Sequence, residues 1–156
     1  MEAFQDYYPD ELAHCTGCGR LNEHGLHLRS FWRGDGSEAR FTPAPYHTAV
    51  PGFVNGGVIA SLIDCHGTGT AAAAAYRAEN RAMDTLPPHR FVTAALRVDY
   101  LRPTPLGPEL VLHGVVRSIS GRKVIVDVTV SVGGEITVRG EVVAVEIPQS
   151  MRPTQK

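Results

Sequence analysis

Neither sign of charge dominates this chain: fifteen Lys and Arg against sixteen Asp and Glu leave a formal charge of -1 over 156 residues. No global field draws in nucleic acid or an anionic membrane surface, so a phosphate-bearing ligand must depend on local cations. Cysteine is scarce and odd in number, three in all, which argues against a disulfide framework and fits a reducing compartment. No apolar run reaches membrane-spanning length; the longest weakly polar stretch, Val50 to Tyr76, is broken by Asn55, Asp64 and His66. The opening Met1-Glu2-Ala3-Phe4-Gln5-Asp6 lacks the basic and apolar regions of a signal peptide. The expectation is a cytoplasmic protein with no membrane and no nucleic-acid partner. Repeats are absent, and low complexity is confined to Ala71 to Ala75.

What is present suits one globular domain, with 43% hydrophobic and 20% charged residues. The expected division is an irregular, polar N-terminal segment over 1–24, a folded domain over 25–148 and a tail over 149–156. Leu26 to Trp32 and Ala39 to Phe41 read as short strands around a Gly34-Asp35-Gly36 turn. Small and apolar residues at Ile59, Leu62, Ile63, Gly69, Ala72, Ala73 and Tyr76 repeat with helical spacing and predict a long central helix over Val58 to Tyr76. Gly67 and Gly69 would each cost about 1 kcal/mol in an exposed helix interior, so very close packing is expected there. Beyond Pro87-Pro88, the runs Phe91 to Leu101, Glu109 to Ser118, Lys123 to Val132 and Ile136 to Ile147 read as antiparallel strands. One helix with such a meander predicts an α+β fold in which a curved sheet wraps the helix.

The segment Pro51 to Gly57, followed by this helix with its one carboxylate at Asp64, carries the functional signal. A Gly-Gly pair opening a helix leaves unpaired N–H groups that can hold an anion or a carbonyl oxygen gaining charge. Asp64 lies two turns beyond Gly57 on the same face, roughly 10 Å along the axis at 1.5 Å per residue. One small carbonyl can hardly touch both, so joint action requires a second copy of the helix.

Asn55-Gly56-Gly57, then Asp64, then Tyr100-Leu101-Arg102-Pro103 resemble, in order, the motifs of hot-dog-fold thioesterases of the phenylacetate-pathway (PaaI-like) type. The opening Cys15-x-x-Cys18-Gly19 with Asn22-Glu23-His24-Gly25-Leu26 is also similar to that of many members. The resemblance covers residues 15 to 147. It implies a hot-dog fold and hydrolysis of acyl-coenzyme A thioesters by a homodimer or homotetramer, with strands joined across the interface. It also implies that no metal or cofactor is needed, coenzyme A being part of the substrate. By the same resemblance the Gly57 N–H polarises the thioester carbonyl beside Gly56, and Asp64 of the facing subunit acts as nucleophile or general base. Thr68 and Thr93 occupy the two positions from which relatives hold the water. Two positions depart from the family: its His is Asn55 here, and an amide-bearing residue of some members is Ala49.

Asn55 is also a strong helix N-cap. Arg102, Arg117, Arg122 and Lys123 are the candidate phosphate ligands, with Arg122-Lys123 in a hairpin turn after Gly121. Cys15 and Cys18 have the spacing of a zinc knuckle, but no second such pair exists, which favours a packed turn. Cys65 is expected to face the core, while His66 is placed to reach an interface or a ligand. Two rival readings accompany the thioesterase: a non-catalytic acyl-CoA binding protein, motivated by Asn55 and Ala49, and an enoyl-thioester hydratase, which would call for an Asp/His pair.

Overall fold

The computed structural model describes residues 1–153; residues 154–156, the end of the expected tail, lie outside the described residues. Period-two runs of Val, Ile and Thr form a sheet because alternate side chains can be buried in one layer while their neighbours face away. The strands are β1 Ser30–Arg33, β2 Gly36–Phe41, β3 Phe91–Tyr100, β4 Leu110–Ser120, β5 Lys123–Val132 and β6 Glu135–Glu146. All pairings are antiparallel. Their order is β1-β2-β4-β5-β6-β3, so β3 forms an edge. Along β5 the alternation is complete, with Val124, Val126, Val128 and Val130 buried.

The predicted hairpin turn is present, with Gly34 in the left-handed region at φ 60. The preceding strand begins later than predicted. Leu26 and Leu28 donate their N–H groups to the carbonyls of Thr16 and Gly17 at 2.8 and 3.0 Å, so these residues close the Cys15–Cys18 loop instead of joining the sheet. The N-terminal segment is irregular, with two short 3-10 turns, yet it is no polar fringe: Phe4, Tyr8, Ala13 and Cys18 are buried.

Helix α1 spans Gly56–Ala78, two residues longer at each end than predicted. It starts where Asn55 caps it, Oδ1 accepting from Gly57 N–H at 2.8 Å and Val58 N–H at 3.2 Å. Between Leu62 and Ala74 every residue but Asp64 is buried, which explains the absence of a polar face. The expected close approach is real. A Cβ at Gly67 would fall 2.5 Å from Val142 Cγ2 and 2.6 Å from Val142 Cβ on β6, and one at Gly69 would fall 2.7 Å from the Gln5 amide. Gly140 on β6 makes the reciprocal concession, its absent Cβ leaving room for Ile63. Among the described residues no helix is long and apolar enough to cross a membrane.

Gly67→Ala tests this contact. Helix propensity would gain about 1 kcal/mol, but overpacking against a short β-branched side chain costs about 1–3 kcal/mol. The expected outcome is a lower urea midpoint at unchanged slope; an equal or higher midpoint would show that helix and sheet have slack here.

Candidate active site

The start of α1 opens onto a surface cleft of about 490 Å³, lined by Ala49, Phe53, Gly56, Ile59, Tyr100 and Arg102 among others. The Tyr100 hydroxyl donates to Gly56 O at 2.5 Å, tying the end of β3 to the first residue of the helix. Tyr100 entered the sequence reading only as part of a motif; its bond to Gly56 depends on how helix and strand cross. Gly57 and Asn55 are exposed. The Gly57 N–H is engaged by the Asn55 side chain, so a ligand oxygen approaching it would meet a cap already in place.

Asp64 is half-buried and accepts a hydrogen bond from the Thr93 hydroxyl on β3. A bulge between Thr93 and Ala95 interrupts the β3–β6 register just there, the kind of irregularity that re-aims a side chain. Thr68 is placed differently. Its hydroxyl donates back to the helix, to Asp64 O at 3.0 Å and Cys65 O at 3.4 Å, and not to the carboxylate. Of the two candidate hydroxyls, the fold therefore brings Thr93 to the acid.

Within one chain the two halves of the candidate site stay apart, because the cleft at the helix start does not include Asp64. The candidate cations divide the same way. Arg102 lines the cleft and pairs with Glu135. Arg122 and Lys123 sit at the opposite end of the sheet: Lys123 pairs with Val145, which faces Val92, one residue from Thr93. Arg122 donates to Glu146 O at 3.0 Å. Arg117 is held by Asp127 and Glu141 in a surface ion-pair cluster.

His66 does not reach an interface or a ligand position. It is fully buried, with Nδ1 2.9 Å from Ser30 Oγ and Nε2 3.0 Å from Ser37 Oγ. Gln5 bonds Ser30, and Thr70 bonds Ser37 at 2.6 Å, completing a polar chain inside the core. The sequence reading missed this inward direction, because the partners that make this face habitable lie on β1 and β2, too distant in sequence to be seen. Burial pushes its pKa down to about 3.

Comparison with known proteins agrees with the architecture. The family described as the Thioesterase superfamily matches residues 51–139. The chain is 39% identical over 84 residues to the acyl-coenzyme A thioesterase THEM4 of Xenopus laevis, covering 54% of this chain and 32% of that protein. It is 38% identical over 98 residues to THEM4 of Mus musculus, covering 63% and 36%. The match thus spans about a third of the length of these curated relatives. A solved thioesterase superfamily protein from Shewanella loihica PV-4 shares 46% identity, covering 90% of this chain and 100% of that one, with a TM-score of 0.69. The E. coli PaaI protein, at 15% identity, TM-score 0.63 and coverage of 79% and 81%, shares the fold.

The buried His66 predicts an acid-sensitive fold. Its folded pKa lies below the unfolded value of about 6.5, so its contribution is complete above that pH and is lost as pH falls toward about 3. Between about pH 7 and pH 4.5, wild type should lose roughly 2–3 kcal/mol more unfolding free energy than His66→Gln. Urea titrations at both pH values measure this, and equal losses would refute it.

Proposed function

The chain belongs to the thioesterase superfamily, and on that footing we propose that it hydrolyses an acyl-coenzyme A thioester to a free acid and coenzyme A as a homodimer or a dimer of dimers. The observation that carries this reading is a half-buried carboxylate held by a strand hydroxyl beside an unpaired sheet edge, away from the capped helix start. Edge strand β3 is ten residues long and leaves Leu96 and Tyr100 exposed, with Leu101 following. Such an edge invites another strand. Pairing β3 with its copy about a two-fold axis would invert one protomer and set the helix start of one against Asp64 of the other.

In the resulting site the thioester oxygen would take over the Gly57 N–H beside Gly56, as charge develops on it. Asp64 would either attack the carbonyl carbon directly, expelling coenzyme A thiolate and leaving an anhydride for water to open, or remove a proton from a water held by Thr93. Thr93 suits that task because it already addresses the carboxylate; Thr68 would first have to leave its helix carbonyls. Arg102, on the cleft wall, and Arg122 with Lys123 at the hairpin tip would meet the coenzyme A phosphates. No metal or cofactor enters this scheme.

The family membership and the paired acid favour hydrolysis. Asn55 in place of the family His, and Ala49 on the cleft wall where some members carry an amide, favour the second reading, a binding protein for acyl-CoA. The hydratase reading weakens, because the histidine nearest Asp64 in sequence is locked between two serines.

Asp64→Asn and Asp64→Ala should each lower thiol release by about a hundredfold or more, with circular dichroism unchanged, across short, long and aromatic acyl-CoAs. Full turnover by both variants would reject the acid's role; tight binding without turnover by wild type would select the binding protein. Leu96→Glu at the β3 edge should give a smaller species in sedimentation and a matching loss of turnover. An active monomer would sink the shared site.

A further inference from the structure

Away from this site, a second cluster joins the N-terminal loop to α1. The sulfurs of Cys15, Cys18 and Cys65 all lie within 4.8 Å of one another. Cys15 Sγ and Cys65 Sγ are 3.6 Å apart, and all three cysteines are free. Four sulfurs on bonds of about 2.3 Å around a tetrahedral ion stand roughly 3.8 Å from each other. The trio is thus close to the spacing of three corners of such a polyhedron. The sequence displayed only the first two; the fold delivers the third, on the residue after Asp64 and about 100° around the helix from it.

The loop is shaped around sulfur. Gly19 N–H closes the turn on Cys15 O at 2.7 Å. A Cβ at Gly17 would collide with Cys65 Sγ and one at Gly19 with the Cys15 backbone, so Gly17 lets the loop press onto the helix and Gly19 lets it close on itself.

Charge gives the second, independent indication. Arg90 places its guanidinium carbon 4.4 Å from the centre of the buried Tyr8 ring and lines the same cleft as Cys15. Three neutral thiols give a nearby cation nothing to answer; three thiolates would. A divalent ion with three thiolates carries one negative charge, which Arg90 balances, whereas a monovalent ion would leave two. Cys15 borders a surface cleft of about 220 Å³ shared with Glu11, His14 and Arg90. That opening admits an ion and leaves its fourth position to water.

We propose that Cys15, Cys18 and Cys65 bind one thiophilic divalent cation of the zinc class, which fastens the N-terminal segment to α1. Each thiol passes its proton to solvent as its sulfur–metal bond forms, and no electron is transferred. The cation is structural and takes no part in thioester chemistry, so the proposal stands or falls separately from the function above.

Tag-free, reduced and metal-stripped protein titrated with Co²⁺ tests it. The expected result is an intense near-ultraviolet thiolate-to-cobalt band that saturates at one ion per chain and is abolished by added zinc. In Cys15→Ser, whose side chain is half-buried, the Co²⁺ affinity should fall by about a hundredfold or more, beyond what losing an outer-shell partner costs. Chelator should lower the Tm of the zinc-loaded wild type. The wild-type spectrum decides even if the variant does not fold: absence of the band overturns the proposal. So does an unchanged Co²⁺ affinity in folded Cys15→Ser, or a zinc-free protein isolated with a Cys15–Cys65 disulfide, which would mark a redox pair instead.

Discussion

The distance between α1 and the sheet governs this molecule. Glycine at 67 on the helix and at 140 on β6 removes the side chains that would hold the two layers apart, and Val142 and Ile63 fill the space from the opposite sides. With the helix this low, three consecutive residues each meet a different neighbour. Asp64 reaches the Thr93 hydroxyl, Cys65 reaches the N-terminal loop, and His66 reaches between β1 and β2. Successive side chains diverge by about 100°, so one turn of helix serves a candidate site, a sulfur cluster and a polar core at once. A shift of the helix would disturb all three.

The polar chain Gln5–Ser30–His66–Ser37–Thr70 is the least expected product of that packing. Buried polar groups are tolerable only when paired, and here both imidazole nitrogens have a hydroxyl. Gly114 on β4 belongs to the same arrangement: a side chain there would press on Ser37 Oγ and His66 Nε2. The network ties the first hairpin to the helix by direction as well as by apolar contact.

Local features were legible in the sequence, and contacts between distant segments were not. Asn55, the Gly-Gly pair and the 3.6-residue pattern located α1 to within two residues at each end, because capping and periodicity act over short spans. Leu26 to Arg29 carried strand-like residues yet pair with a loop, since an alternating pattern says nothing about which backbone will be the partner. Thr68 and Thr93 were equal candidates by the family resemblance. What separates them is that a helical threonine can satisfy itself on the carbonyl one turn back, whereas Thr93, projected from a bulged strand, finds the carboxylate. The sulfur trio and the His66 shell were invisible for the same reason: each unites residues whose proximity is decided by topology.

The N-cap has one more consequence. Asn55 Oδ1 already sits on the Gly57 N–H at 2.8 Å, so any reactant oxygen bound there faces a built-in competitor. A neutral thioester oxygen is a poorer acceptor than a side-chain amide oxygen and would rarely evict it. An oxygen bearing full negative charge is a far better one. In the proposed reaction the cap would therefore act as a filter, withholding its donor from resting species and yielding it only to the fleeting anion, so that binding there would discriminate between the two.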